Sequence, residues 1–223
     1  MKQIAWWGPI RAAMQTDLYL IRHGQTATNR AWLLQGWNAE PLNAHGRWQA
    51  LRIGARLASA GISALYASPL RRAHETATII GQAIGVEVRL VDDLRELDTG
   101  NVSGLHSAQF ILRHPRLLWA WLRDDTRLTF PGGETIAQFY ARAQHVIDEL
   151  VTRHLGQAIA VVTHGGTISA YLSLVLHGRG SNRIAWSLRN GAICHVRWQD
   201  DGPAQLLAFN DIAHLRAPSP GLP

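Results

Sequence analysis

The chain has almost no cysteine or lysine, and several classes of protein are excluded by what it lacks. Its one cysteine, Cys194, allows no intrachain disulfide, so a reducing compartment is the natural setting and the cytoplasm is the expected location. Cys194 sits in the strand-like run Ala192-Ile193-Cys194-His195-Val196, without a glycine turn or capped helix to activate a thiolate. It reads as a small buried apolar residue. No apolar run approaches the ~18 residues of a membrane span. Nor is there a signal-peptide pattern at the amino end, where Gly8-Pro9 breaks the run from Ile4 to Ile10 and Arg11 follows at once. No membrane association is expected. Lys2 is the only lysine among 22 basic residues, and the net charge of +6 comes from arginines scattered singly. Without a basic block or a stacking motif this pattern does not suit nucleic acid, whereas it does attract small acidic substrates. The 11 histidines show no metal-ligand spacing such as His-Glu-x-x-His. No metal and no cofactor is expected. Of those outside the motifs below, His74 could support Arg72, and the rest are assigned to surface or packing. No Gly/Ser/Pro-rich linker divides the 223 residues, a length suited to one generous domain.

Against this background one stretch stands out. The apolar run Leu18-Tyr19-Leu20-Ile21 ends in Arg22-His23-Gly24, a polar turn follows, and then a helical pattern begins. A strand that stops in such residues puts an imidazole at the carboxyl end of a sheet, where open α/β folds bind ligands. Gly24 is expected to leave the approach to the ring open, and Arg22 adds a fork-shaped permanent charge. About 140 residues later Ala158 to Thr163 ends in His164-Gly165-Gly166 and leads into a helix-like run from Thr167 to Leu176. Between them Tyr66-Ala67 breaks at Ser68-Pro69-Leu70-Arg71-Arg72. Ser68 suits an N-cap and Pro69 the first helical position, so the arginines sit at an anion-favouring helix start. Three strand ends thus bring two histidines and two arginines together.

These residues resemble the histidine phosphatase superfamily, the group that includes cofactor-dependent phosphoglycerate mutases and broad phosphomonoesterases. Arg22-His23-Gly24-Gln25-Thr26-Ala27-Thr28-Asn29 is similar to the family's opening motif. Gln35-Gly36 with Pro41-Leu42, Ser68 to Ala73, Leu94 to Gly100, Pro131-Gly132-Gly133-Glu134 and Thr163 to Gly166 follow in family order. The resemblance assigns the family arginine to Arg72 rather than Arg71 and the acid to Glu96. It departs in two places. Val102-Ser103-Gly104 stands where members commonly carry aromatic-Glu-Gly, and the leader with Trp6-Trp7-Gly8-Pro9 has no counterpart. The expected organisation is an N-terminal extension (1–16), a histidine phosphatase domain (17–215) and a disordered tail (216–223).

Strands are expected at Leu18–Arg22, Ala64–Ala67, Val86–Val91, Ala158–Thr163, Ala192–Trp198 and Gln205–Phe209. The helix at Asn43–Ala60 would bury Trp48, Leu51, Ala55 and Ala58, and that at Thr135–His154 carries a core stripe. The alternation predicts an α/β three-layer sandwich, a mostly parallel sheet with helices on both faces. Leu105 to Phe130 would add a small helical cap over the site.

The chemistry expected is hydrolysis of a small-molecule phosphate ester through a phosphohistidine. His23 is the expected nucleophile because a neutral imidazole can attack phosphorus once cations spread its charge. Arg22 and Arg72 would grip the phosphoryl oxygens, with a protonated His164 and Asn29 as further donors. Gln35, Gly36 and Gly165 complete the expected phosphate site. The resemblance makes Glu96 the acid, with Asp98 and Glu134 next in line, and a pairing of Glu96 with Arg95 or Arg72 is the competing structural role. A phosphoglycerate mutase, with Arg95, Arg113 and Arg116 helping to hold substrate, and a non-catalytic phospholigand-binding protein are the alternatives. A homodimer is left open.

Overall fold

The computed structural model describes residues 14–123, 125–177, 187–199 and 202–216. The Trp6-Trp7-Gly8-Pro9 leader, Asp124, the His177 side chain and the tail at 217–223 lie outside the described residues. In chain order the elements are β1 (Gln15–Arg22), α1 (Ala27–Arg30), α2 (Ala44–Leu57), β2 (Ile62–Ala67), α3 (Arg71–Ile84) and β3 (Val88–Leu90). They continue with α4 (Ser107–Arg113), α5 (Pro115–Leu122), α6 (Ile136–Arg153), β4 (Ala158–Thr163), α7 (Gly165–His177), β5 (Ile193–Gln199) and β6 (Gly202–Asp211).

The strands form one sheet in the order β3-β2-β4-β1-β5-β6. β3, β2, β4 and β1 are mutually parallel, and the β5–β6 hairpin adds an antiparallel edge beside β1. β4 is an unbroken apolar run because both its faces are covered, as parallel central strands require. On one face α2 and α3 pack against Ile21, Leu65, Ala67 and Val162. On the other, α6 and α7 cover Leu18, Leu20, Ile159 and Val161. The chain after β1 therefore returns on one side of the sheet and the chain after β4 on the other. Adjacent parallel strands whose helices diverge in this way open a crevice at their carboxyl ends. A third cluster, with Leu97, Val102, Phe110, Phe130 and Phe139, anchors the α4–α5 cap.

Two local expectations are corrected. The buried face of α2 is Gly46, Gln49, Ala50, Ile53, Gly54 and Leu57, while Leu51 is 58% exposed and Ala55 and Ala58 face solvent. Close approach to α3 helps decide this: a Cβ at Gly54 would collide with the Ala83 methyl, so the glycine faces the partner helix while Ile53 and Leu57 beside it enter the core. The helix after β2 starts at Arg71, with Leu70 at its cap and no capping side chain. The Ser68 hydroxyl does not cap that helix's first turn, because it faces His164.

Candidate active site

The crevice at the ends of β1 and β4 is a cavity of about 270 Å³. Arg22, His23, Asn29, Gln35, Gly36, Arg72, Glu96 and Gly165 all line it, and Leu33, Leu34, Leu97 and Trp121 supply apolar wall. His23 leaves the end of β1 with its backbone N–H held by the Thr163 carbonyl of β4. Its Nδ1 donates to the Gly24 carbonyl at 2.7 Å. A carbonyl only accepts, so in the neutral ring Nδ1 carries the proton and Nε2 keeps its lone pair. Arg72 Nε approaches that Nε2 at 3.3 Å. Burial first, then the charges of Arg72 and Arg22, hold the His23 pKa well below its ordinary value. An uncharged ring whose unprotonated nitrogen accepts from Arg72, with Arg22 close by, is a nucleophile aimed at an anion.

Arg72 is buried, and its other nitrogens donate to the carbonyls of Asn38 at 2.9 Å and Gly36 at 2.8 Å. Those bonds fix the plane of the guanidinium, while Arg71 beside it is exposed. Burial pushes the Arg72 pKa down to about 10, which still leaves it charged near neutrality. Arg22 donates through Nη1 to the Leu188 carbonyl, and its Nε is buried without a partner. Asn29 is held by the Asn190 amide, which donates to its Oδ1 at 3.0 Å, and Gln35 donates through Nε2 to Thr26 Oγ1.

His164 ends β4 fully buried, behind the cavity wall and not lining it, with its ring centre 5.2 Å from that of His23. The sequence led us to expect a cation there. Burial, followed by Arg72, His23 and Arg22, drives its pKa well below the ordinary value, which favours the neutral ring. Nε2 lies 2.8 Å from Ser68 Oγ, while Nδ1 is buried without a partner.

Glu96 reaches the crevice from the loop after β3. Its Oε1 accepts from the Leu97 amide and its Oε2 from the Gly166 amide, each at 3.0 Å. A Cβ on Gly166 would collide with Oε1, so this glycine makes room for the carboxylate. Arg95 pairs with Asp92 at 2.9 Å and lies over Trp37, so it does not neutralise Glu96. Asp98 accepts from the Gly100 amide, and Glu134 is paired with Arg142. Both carboxylates are thereby committed to the loop, and neither lines the cavity.

Three expectations change once the neighbours are visible. Gly24 faces Gly46 of α2, and a Cβ there would collide with the Gly46 carbonyl. The glycine serves loop-to-helix packing rather than an open approach to the ring. His74 faces solvent one residue-pair beyond Arg72 on the outer side of α3. Thr76 takes the supporting place, accepting from the Gly24 amide at 3.1 Å and donating to the Arg72 carbonyl at 2.7 Å. Thr76 and Asn190 escaped sequence reading, and Ser68 was read only as a cap, because serine, threonine and asparagine are ordinary at strand ends and turns. The Val102-Ser103-Gly104 segment is structural. Val102 is buried in the cap core, Ser103 Oγ lies 2.8 Å from Thr99 Oγ1, and the Gly104 amide donates to the Leu34 carbonyl. Among the described residues no group of three or more His, Cys, Asp or Glu is placed to hold a metal ion, and no helix is long and apolar enough to cross a membrane.

This geometry can be set beside known proteins. The family model described as histidine phosphatase superfamily, branch 1, matches residues 18–212. The chain is 34% identical over 202 residues to phosphoglycerate mutase-like protein 4 of Arabidopsis thaliana, covering 89% of this chain and 86% of that protein. It is 28% identical to a metal-independent phosphoserine phosphatase of the same plant, covering 96% and 90%. A phosphoserine phosphatase variant from Entamoeba histolytica, solved with phosphoserine, superimposes with a TM-score of 0.77 at 25% identity, covering 90% and 99%. The chain belongs to the histidine phosphatase superfamily, branch 1.

Proposed function

We propose that this protein is a phosphomonoesterase that hydrolyses a small phosphorylated metabolite through a phosphohistidine on His23. One observation carries the reading: the neutral Nε2 of His23 meets Arg72 beside two buried, unpartnered nitrogens, Arg22 Nε and His164 Nδ1. Such nitrogens are costly unless a ligand satisfies them. An anion with several acceptor oxygens, a phosphoryl group, suits all of them at once.

In the first step Nε2 forms a bond to phosphorus as the ester P–O bond breaks. Arg22, Arg72, His164 and Asn29 hold the phosphoryl oxygens, and Gln35, Gly36 and Gly165 shape the pocket. The departing alkoxide takes a proton from Glu96. In the second step a water attacks phosphorus, gives its proton to Glu96, and the N–P bond breaks to return neutral His23 and free phosphate. Arg95, Arg113 and Arg116, the candidates for holding a mutase substrate's carboxylate, do not line the cavity. That and the phosphatases among its relatives favour hydrolysis over phosphoryl return to a second oxygen. The catalytic domain in this reading is residues 17–215, the setting is cytoplasmic, and sedimentation would decide whether a homodimer forms.

The test is a rapid quench into alkaline detergent during turnover of a radiolabelled phosphate ester, with turnover followed in parallel on a chromogenic one. A phosphoenzyme that is stable in base and labile in acid is expected, and His23→Ala should abolish both label and turnover while keeping its thermal transition. Full activity in that variant would remove the assignment. Tight phosphate binding with no phosphoenzyme would favour a phospholigand-binding protein, and slow phosphate release after priming by a bisphosphorylated donor would favour the mutase.

A further inference from the structure

We propose that Ser68 is a positioning residue, setting the His164 ring in the tautomer whose Nδ1 bears the proton and offers it to the phosphoryl group. The Ser68 side chain is fully buried at the end of β2, where its backbone amide is tied to the Val162 carbonyl of β4 at 3.0 Å. A serine hydroxyl has one proton to give and two lone pairs to receive. One lone pair takes the Leu70 amide at 3.3 Å, and the other close polar neighbour is His164 Nε2 at 2.8 Å. If Nε2 carried the ring proton, it would donate to Ser68 and leave the serine's own proton buried with nowhere to go, an unsatisfied donor that the fold disfavours. With Nε2 as acceptor, the serine proton is used, and the ring proton must sit on Nδ1. That nitrogen is the one buried without a protein partner, in a ring packed against His23.

The arrangement has a chemical consequence. A neutral histidine can donate only from the nitrogen that bears its proton. The opposite tautomer would turn a lone pair toward phosphoryl oxygens and repel them. His164 is held uncharged by its surroundings, so its usefulness as a donor depends on which nitrogen is protonated. The serine makes that choice from the far side of the ring, without touching substrate. His23 is set by the same logic from its own Nδ1, through the Gly24 carbonyl. Both rings are therefore set in the same tautomer and used from opposite nitrogens: His23 attacks from its unprotonated Nε2, which Arg72 faces, and His164 donates from its protonated Nδ1.

The kinetic part of this inference rests on the phosphatase reading; the tautomer does not, and it is measured separately. Long-range proton–nitrogen spectra of the ring nitrogens report histidine tautomers directly, with His164→Asn identifying the signal. In the wild-type protein the His164 ring is expected in the Nδ1–H form. Ser68→Ala should move it to the Nε2–H form or a mixture of the two. On a phosphate ester, kcat should fall by about 10²-fold, the size expected for losing one preorganised donor, with KM changed only a few-fold. A wild-type ring in the Nε2–H form overturns the proposal whether or not the alanine variant folds. So does a Ser68→Ala protein with wild-type kcat, or one whose rate falls while the ring tautomer stays put. If wild-type protein shows the Nδ1–H ring but forms no phosphoenzyme, the phosphatase reading fails and the positioning role stands.

Discussion

At the scale of single residues, the site depends on removing charge from groups that usually carry it. His23 and His164 are kept neutral by burial and by two arginines, so the only fixed charges pointed at substrate are cationic. Glu96 is the exception, and the sequence left it between two roles, proton donor and partner of an arginine. In the structure its oxygens take backbone amides and Arg95 turns to Asp92, while Arg72 and Arg22 feel its charge without a direct ion pair. A donor role makes a differential prediction. Glu96→Gln should slow an alkyl phosphate by ~10²–10⁴-fold, because an alkoxide needs a proton to leave. The same change should slow nitrophenyl phosphate far less, since that leaving group is stable without one. Equal losses on the two esters, measured side by side, would show that Glu96 only shapes the phosphate pocket.

At the scale of elements, the catalytic loops are held by contacts between helix starts and strand ends. Gly24 and Gly46 press the loop after β1 onto the first turn of α2, with neither position able to accept a Cβ without striking backbone. Gly24→Ala should therefore destabilise the protein by about 1–3 kcal/mol, the usual cost of overpacking, and displace His23. A lowered urea midpoint together with lost turnover is the expected pair of results; unchanged stability would mean the loop can yield. The acid loop is held from a different element. Arg142 of α6 donates to the carbonyls of Asp93 at 2.7 Å and Arg95 at 2.9 Å, and it pairs with Glu134 at 2.6 Å. Thr163 and Thr167 donate to the carbonyls of Leu94 and Arg95 from the other side. The Pro-Gly-Gly-Glu motif was visible in the sequence, but its task of bracing the Glu96 loop through Arg142 was not. The bond from Arg142 to the Arg95 carbonyl spans 47 residues, and nothing local announces it.

At the scale of the whole molecule, stability and catalysis are linked through the buried histidines. His23, His164 and His214 each have a folded-state pKa below the ordinary 6.5, with burial as the leading cause. Below pH 6.5 the unfolded chain takes up protons at these sites that the folded chain refuses. Stability is then full above that pH and falls as the pH drops toward the folded values, by up to ~1.4 kcal/mol per pH unit for each such histidine. Urea unfolding should show a lower midpoint at pH 5.5 than at 7.5, and His164→Gln should reduce the difference. Equal midpoints at the two pH values would mean that the rings protonate inside the folded protein.

The sequence alone determined the strand–His–Gly junctions, the α/β alternation and the β4 limits, because apolar runs, glycines and helix periodicity are local signals. It also singled out His23, Arg72, Glu96 and His164, since their motifs are contiguous. Only the tertiary structure decided which side of α2 is buried, why Gly24 must be glycine and what Ser68 faces. It alone shows that burial and neighbouring cations lower the His164 pKa. Each of those depends on a neighbour brought in from another element, and burial and charge environment are properties of the assembled core rather than of the residue that experiences them.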